Sequence, residues 1–188
     1  MENKKNQFAV VCVIGQPGSG KDALANYLVE KKTFCHISTG DIIREEMKKK
    51  NIPTDRESMR FFSAKKRKEV GNNYPADIAL GKIAGDTVVS GPRNFAEVKV
   101  FKSKFGKNFI LVAVSAPVEV RYERVKNGRS REGDNITLGE FRKQERAEYS
   151  SGTHDLNRLL SVADFVIDNS GTKEEMFAKM DNILDSTK

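Results

Sequence analysis

The sequence predicts an α/β fold, a three-layer sandwich in which a five-stranded parallel sheet lies between two layers of helices. Five short apolar runs with strand character recur along the 188 residues, and helical periodicity fills the gaps between them. A chain of this length with 38% hydrophobic residues can form one complete core, so we expect a single domain over residues 1–188. The predicted strands span residues 8–14, 33–37, 87–89, 109–114 and 165–167.

The first predicted strand runs into a glycine-rich turn that precedes a predicted helix. The turn has the spacing G-x-x-x-x-G-K. In this arrangement backbone N–H groups surround a phosphate, the helix points its positive dipole end at the same anion, and the lysine adds a point charge. The pattern predicts a nucleoside triphosphate site and assigns the fold to the P-loop NTPases. The residues of the motif are Gly15, Gln16, Pro17, Gly18, Ser19, Gly20 and Lys21.

The residues after this lysine depart from the usual motif. Most such loops continue with Ser or Thr, whose hydroxyl binds Mg²⁺, whereas this chain has Asp22 and Ala23. Many P-loop phosphotransferases also carry an acid at the end of the third strand, where this chain has Ser90. Because Mg²⁺ prefers oxygen ligands and keeps several waters, we hypothesise that Asp22 binds the metal, directly or through water. The alternative interpretation is that Asp22 only complements the helix N-terminus, and the two roles do not exclude each other.

The charge of the chain indicates an anionic partner. The formal net charge is +7 and the isoelectric point is about 9.4. The densest basic clusters, residues 48–50 and 65–68, fall in predicted helices, which favours a solvated helix face over a nucleic-acid patch. Nucleic acid is therefore a less favoured partner, and no repeated pattern of aromatic and basic residues supports it.

Compartment and redox state follow from the apolar runs and the cysteines. No apolar run is long enough for a membrane helix and residues 1–7 lack a signal-peptide pattern, so we expect a cytoplasmic protein without a membrane partner. Cys12 and Cys35 each lie in an apolar stretch that indicates a buried strand, and they lack metal-ligand spacing. Both are therefore expected to be core side chains in a reducing compartment.

Two segments fit the sheet less well. Residues 41–84 contain three predicted helices without a strand between them, so we expect a helical region above the sheet edge. Residues 126–137 are polar, glycine-bearing and rich in arginine, and we expect a mobile loop there. Capping-box spacing marks three helix starts, at Thr54 with Glu57, Thr137 with Glu140, and Thr172 with Glu175.

Arginines follow the predicted strands, at the edge where open parallel sheets bind their ligands. A planar guanidinium binds phosphate through two parallel hydrogen bonds and stays charged when water is excluded, which suits phosphoryl transfer. Arg44 follows the second predicted strand, and Arg93 follows the third. Four further arginines lead into or lie within the polar loop, namely Arg121, Arg124, Arg129 and Arg131.

These segments together resemble adenylate kinases, in the correct order over most of the chain. Residues 38–44 resemble the acceptor-nucleotide segment, Gly91-Pro92-Arg93 resembles the second acceptor motif, and residues 123–129 resemble the entry to the lid. The spacing is closer still to the small adenylate kinase-related and dephospho-CoA kinase-like proteins of the P-loop kinase group. The resemblance implies ATP with Mg²⁺, a helical acceptor-binding region over about 39–84 and a short lid over about 126–137.

The resemblance also assigns roles to individual residues. It implies that Lys21 acts in catalysis together with the lid arginines Arg124, Arg129 and Arg131. It places the acceptor near Thr39, Arg44 and Arg93, with Arg142 and Arg146 as further candidates. Structural alternatives stay open for several of these: Thr39 could cap a helix, and Glu145 and Glu148 could pair with Arg142 and Arg146 within one helix. His154, which has no evident nucleophile or metal partner, is expected to be structural.

The predicted function is ATP-dependent phosphoryl transfer to a nucleotide or a related small phosphorylated metabolite. No general base is evident, and a phosphate acceptor needs none because it is already ionised, whereas a hydroxyl acceptor benefits from a positioned carboxylate. This favours a nucleoside monophosphate but leaves a dephospho-CoA kinase-like activity open. The missing metal ligands leave two further alternatives, an ATP-binding regulatory or RNA-associated protein with weak or lost transfer and a slow ATPase. The oligomeric state is not predicted.

Overall fold

A computed structural model describes residues 9–128, 136–150 and 155–187, without the side chains at positions 56 and 148–150. The described strands form one parallel sheet in the spatial order β2-β3-β1-β4-β5, as the alternating sequence pattern predicts. The strands are β1 (Val10–Gly15), β2 (Cys35–Ser38), β3 (Thr87–Ser90), β4 (Phe109–Ser115) and β5 (Phe165–Asp168).

Helices connect and cover these strands. A short 3-10 helix, Gly106–Asn108, leads into β4. The α-helices are α1 (Lys21–Lys32), α2 (Thr39–Lys49), α3 (Arg56–Val70), α4 (Tyr74–Leu80), α5 (Phe95–Phe105), α6 (Val118–Gly128), α7 (Leu138–Ser150), α8 (Leu156–Ser161) and α9 (Lys173–Ser186).

Each face of the sheet has its own apolar core. Successive side chains of a strand point to opposite faces, so Cys12 packs with α4, α5 and α8, whereas Val13 packs with α1 and α9. The central strands β1 and β4 are buried along almost their full lengths, as expected for strands covered on both faces. The three-layer α/β sandwich is therefore confirmed.

The edge strand β2 corrects one expectation about the cysteines. Cys12 is fully buried in β1, and burial raises the pKa of its thiol. Cys35 is exposed, because β2 is the edge strand of the described sheet and its first two residues are not covered. Neither cysteine forms a disulfide.

The helical region between β2 and β3 contains three helices, as predicted, and has a small core of its own around Met47 and Phe62. The predicted cap at Thr54 is wrong, because Asp55 caps α3 by accepting hydrogen bonds from the backbone N–H groups of Glu57 and Ser58. The other two capping boxes, at Thr137 and Thr172, are confirmed.

Most of the basic clusters of this region are exposed. The lysines at 48–50, 65 and 68 are exposed and Lys66 is half-buried, whereas Arg67 is buried and forms an ion pair with Glu97. In the described residues, no helix combines the length and apolar character that crossing a bilayer requires.

Candidate functional site

The glycine-rich turn lies between β1 and α1, at the carboxyl end of the sheet. Gly18 and Gly20 have positive φ angles of 75° and 99°, which L-residues with a side chain rarely adopt. Gly15 has another reason to be glycine, because a Cβ there would lie 2.4 Å from Ser19 Oγ and 2.6 Å from the carbonyl oxygen of Val114. The turn is therefore a tight backbone loop that excludes side chains at these positions.

The N-terminus of α1 opens into this turn without a side-chain cap. Gly20 is the N-cap residue and has no side chain to satisfy the first backbone N–H groups of the helix. These groups, together with the helix dipole, form an anion site. Lys21 is half-buried beside them and its Nζ lies 3.0 Å from Asp22 Oδ2. Residues 15–23 therefore have the geometry of a phosphate-binding loop.

Asn169 braces this loop from the end of β5. Its side chain is buried, its Nδ2 donates to the carbonyl oxygen of Ser19 at 2.7 Å, and its backbone N–H donates to that of Ser115 at 2.8 Å. A Cβ on Gly20 would lie 2.2 Å from Asn169 Nδ2. No sequence pattern singled out Asn169, although a polar side chain just beyond the end of the predicted strand 165–167 is a usable signal.

Arg121 braces the loop from the opposite side. Its guanidinium is 4% exposed, donates to the carbonyl oxygens of Ala116 and Pro17 at 2.9 and 3.3 Å, and forms a two-pronged ion pair with Glu145 of α7. The backbone of Arg121 also packs against Gly18. Arg121 therefore does not act with the arginines of the polar loop, as the sequence suggested. Its guanidinium binds the phosphate loop at Pro17 and α7 at Glu145.

A cleft of about 900 Å³ lies between the phosphate loop and α6. Lys21, Asp22 and Arg124 line it, together with the first residue of α9, Lys173. Arg124 Nη2 lies 3.4 Å from the carbonyl oxygen of Gly171, and its Nη1 is buried without a hydrogen-bond partner among the described residues. Arg124 therefore keeps one cationic N–H group that no described residue satisfies.

The side chains around Lys21 supply few oxygen ligands for Mg²⁺. Asp22 contributes a carboxylate, Ala23 contributes no side-chain oxygen, and Ser90 Oγ shares a 2.8 Å hydrogen bond with His36 Nε2. No group of three acidic, histidine or cysteine side chains with metal-binding proximity occurs in the described ranges. The residues therefore fit an Mg²⁺ ion held mainly by nucleotide phosphate and water, with Asp22 as the carboxylate nearest the loop.

A second polar cluster lies where β2 and β3 end. Ser38 caps α2 by accepting a hydrogen bond from the backbone N–H of Asp41 at 3.2 Å, so Ser38 takes the capping role considered for Thr39. Thr39 Oγ1 instead donates to the carbonyl oxygen of Ser90 at 3.3 Å. Gly91 has a φ of 88°, and a Cβ there would lie 3.0 Å from Thr39 Oγ1. The two segments that carry the predicted acceptor residues therefore meet.

The arginines predicted for the acceptor fall into two groups. Arg44 lies on the first turns of α2, is ion-paired with Asp41 and contacts the Gly40 region. Arg93 is half-buried after β3, and its carbonyl oxygen accepts a hydrogen bond from the backbone N–H of Asp155 at 2.8 Å. Arg44 and Arg93 thus follow the neighbouring strands β2 and β3, at the carboxyl end of the sheet.

Arg142 and Arg146 lie elsewhere, on the exposed face of α7. Arg142 Nη2 lies 2.6 Å from Glu119 Oε1 of α6, on the nucleotide side of the molecule. Its expected partner Glu145 is instead committed to Arg121. Arg129 and Arg131, with most of the predicted lid and His154, lie outside the described residues.

The fold and the phosphate loop define a P-loop kinase-like α/β protein. Residues 14–142 match the family model described as "AAA domain". The chain is 33% identical over 183 residues to UPF0200 protein TK1334 of Thermococcus kodakarensis, covering 94% of this chain and 96% of the relative. It is 32% identical over 182 residues to UPF0200 protein PH1008 of Pyrococcus horikoshii, covering 93% and 95%. The chain belongs to the UPF0200 family.

Solved structures support the same fold at low sequence identity. Shikimate kinase from Acinetobacter baumannii, in complex with shikimate, has a TM-score of 0.65 and 16% identity over 97% of this chain and 96% of the kinase. A gluconokinase from Sinorhizobium meliloti has a TM-score of 0.55 and 16% identity over 97% of both chains. At this identity the similarity shows the fold alone.

Proposed function

We propose that this protein transfers the γ-phosphoryl group of ATP to a nucleotide or a related small phosphorylated metabolite. The observation that carries the proposal is the uncapped N-terminus of α1, which opens with Lys21 toward a cleft beside the phosphate loop. A second cluster, with Thr39, Arg44 and Arg93, follows β2 and β3 on the same edge of the sheet. One site for a triphosphate and one for an acceptor are what phosphoryl transfer requires, and arginines at the second site suit an anionic acceptor.

The residues divide the work by their chemistry. The N–H groups of the loop and Lys21 bind the β- and γ-phosphates, and Arg124 adds charge in the cleft, where it stabilises the transferring group. Lys21 must exchange Asp22 for phosphate when the nucleotide binds, which leaves the Asp22 carboxylate for Mg²⁺. When bound, Mg²⁺ neutralises charge on the phosphate oxygens. Arg129 and Arg131 are proposed to complete the charge from the lid.

The acceptor class is inferred from two arginines, Arg44 and Arg93, and from the lack of an evident general base among the described residues. Arg44 and Arg93 are suited to holding an acceptor phosphate, and an ionised phosphate attacks without the help of a carboxylate. The resemblance to adenylate kinases supports a nucleoside monophosphate. The shared fold with shikimate kinase and gluconokinase, which are named for non-nucleotide acceptors, keeps dephospho-CoA and other small acceptors in the test.

The test is ADP formation from ATP and Mg²⁺ across nucleoside monophosphates, deoxynucleotides and dephospho-CoA. Lys21→Ala removes the loop cation, and Lys31→Ala removes an exposed lysine from the last turn of the same helix as a matched control. We expect acceptor-dependent ADP formation in the wild type and in Lys31→Ala, and loss of about 100-fold or more in Lys21→Ala. ATP binding without stimulation by any acceptor would contradict the proposal.

A second candidate function is ATP binding with weak or lost transfer, in a regulatory or RNA-associated protein. The observation that favours it is Ser90, whose hydroxyl is bonded to His36 where many P-loop phosphotransferases carry an acid. The test is RNA binding by fluorescence anisotropy at several salt concentrations. Tight binding with a steep salt dependence, combined with no acceptor phosphorylation, would support this candidate over the kinase.

A further inference from the structure

A buried ion pair joins the helical region to the core beneath the acceptor cluster. Arg67 of α3 is 4% exposed and Glu97 of α5 is 0% exposed, and Arg67 Nη2 lies 2.7 Å from Glu97 Oε1. The same guanidinium also contacts Ser63, one turn earlier in α3. Thirty residues separate the partners, so the pair is a tertiary contact between two elements that no helical spacing imposes.

The pair continues into the segment that carries Arg93. Asn94 caps α5 by accepting a hydrogen bond from the backbone N–H of Glu97, and Asn94 Nδ2 donates to Glu97 Oε1 at 2.9 Å. The same Nδ2 lies 3.0 Å from the carbonyl oxygen of Asn72, which follows α3. Burial raises the pKa of Glu97, and the charge and hydrogen bond of Arg67, together with a backbone hydrogen bond from Arg93 and its charge, oppose that rise. Glu97 therefore lies within electrostatic reach of the predicted acceptor arginine.

The pair is poorly arranged as a source of stability. Two charges removed from water are compensated only when every remaining polar atom finds a partner. Arg67 Nε and Glu97 Oε2 are both buried without a hydrogen-bond partner among the described residues. Apolar side chains of similar volume often replace such a pair without loss of stability. What an apolar pair cannot reproduce is the directional link from α3 through Glu97 to Arg93.

We infer that Arg67 and Glu97 are a positioning pair that fixes α3 against the Gly91-Pro92-Arg93 segment and so holds Arg93 for the acceptor. This inference rests on the proposed function, because the acceptor site is part of it. Glu97 is fully enclosed and does not touch the acceptor itself. The pair acts through Arg93, and its loss impairs acceptor binding while ATP binding is spared.

The experiment compares the wild type with the double variant Arg67→Met/Glu97→Leu, which removes both charges and keeps the volume. An exposed pair in the same region, Lys82 with Glu45 at 3.3 Å, is the matched control as Lys82→Gln/Glu45→Gln. Hydrogen exchange is measured over residues 88–97 and 15–24 in the absence of ligand. The ATP dissociation constant and the KM for the best acceptor of the panel are measured on the same samples. The variant Arg67→Lys tests whether a positive charge alone preserves the wild-type exchange and acceptor KM.

We expect the double variant to melt at or above the wild-type temperature, to exchange faster over 88–97 but not over 15–24, and to raise the acceptor KM about tenfold with ATP affinity within about twofold. Unchanged exchange over 88–97, or an unchanged acceptor KM in an active enzyme, would overturn the inference. If the wild type phosphorylates no acceptor, the proposed function fails on its own. In that case, faster exchange over 88–97 in the double variant would still support the link between α3 and this segment, and unchanged exchange would overturn it.

Discussion

The proposed nucleotide side and the proposed acceptor side of this protein are built by different means. The phosphate loop is made of backbone, held in shape by three glycines and braced by Asn169 and Arg121 from two neighbouring elements. The acceptor cluster is made of side chains from α2 and the segment after β3. Backbone N–H groups recognise any phosphate in the same way, whereas side chains determine which acceptor fits. A sequence motif therefore predicts the phosphate site of the nucleotide, whereas no motif predicts the identity of the acceptor.

Each side also contains one buried arginine–glutamate pair. Arg121 donates to two backbone carbonyl oxygens in addition to Glu145, so its charge is well compensated. Arg67 has fewer partners, and both it and Glu97 keep an orphaned polar atom. Because a poorly compensated pair contributes less to stability, the acceptor side is expected to open more readily than the nucleotide side.

The glycines give the largest expected effect and the sharpest contrast between the sides. Gly18→Ala places a Cβ 2.4 Å from the carbonyl oxygen of Arg121 at a φ of 75°, so we expect ATP affinity to fall about 10- to 100-fold. Gly91→Ala is also strained, by its φ of 88°, but its Cβ would lie 3.0 Å from Thr39 Oγ1, so we expect the acceptor KM to rise with ATP affinity retained.

Isothermal titration with ATP and steady-state kinetics measure the two effects. Gly85→Ala is the control, because a Cβ there meets nothing within 4 Å. Equal loss of ATP affinity in Gly18→Ala and Gly91→Ala would remove the distinction between the two sides.

A substitution of Asp22 tests whether its carboxylate binds Mg²⁺ in place of the usual Ser or Thr hydroxyl. Asp22→Ala removes the carboxylate nearest the loop, so we expect the Mg²⁺ concentration for half-maximal turnover to rise about tenfold. Glu30→Ala, an exposed acid near the other end of the same helix, should leave it unchanged. If Asp22→Ala retains both turnover and Mg²⁺ dependence, Asp22 serves only the helix N-terminus and Lys21.

Asn169 tests whether the loop needs its brace. Asn169→Ala removes the hydrogen bond to the Ser19 carbonyl oxygen and leaves that oxygen buried, so we expect ATP affinity to fall about three- to tenfold. The acceptor KM should stay within about twofold, since the hydrogen bonds of Asn169 go to Ser19 and Ser115, on the nucleotide side. An effect on the acceptor KM as large as that on ATP affinity would argue that the two sides are coupled.

The smallest expected effect is on stability, at the start of α3. Asp55→Ala removes the side chain that caps the helix, whereas Thr54→Ala should have almost no effect. Hydrogen bonds with Ser58 lower the pKa of Asp55 below its ordinary value of 3.8. Its contribution is therefore present above that value and is lost as pH falls through the pKa of the folded state. Thermal unfolding at neutral and acidic pH checks the loss of stability and its pH dependence. An equal loss of stability in Asp55→Ala and Thr54→Ala would contradict the cap.

The comparison also explains which features the sequence could predict. Local spacing predicts the strands and two of the three capping boxes, and the structure confirms them. It also places the glycine-rich turn between a strand and a helix, as the motif predicts. Arg67 and Arg121 lie in charged helical stretches that local patterns assign to solvent or to a loop, yet both are buried. Their partners Glu97 and Glu145 are 30 and 24 residues away, and no local pattern indicates a pair at that distance.

The most direct test of the whole account follows the phosphoryl group itself. The wild-type protein is incubated with Mg²⁺, ATP radiolabelled in the γ-phosphate and the acceptor that most stimulates ADP formation, and the labelled products are separated. We expect the label to move to the acceptor in equal amount with the ADP formed, and Lys21→Ala to abolish this movement. Label recovered only as inorganic phosphate would contradict phosphoryl transfer and identify the protein as an ATPase.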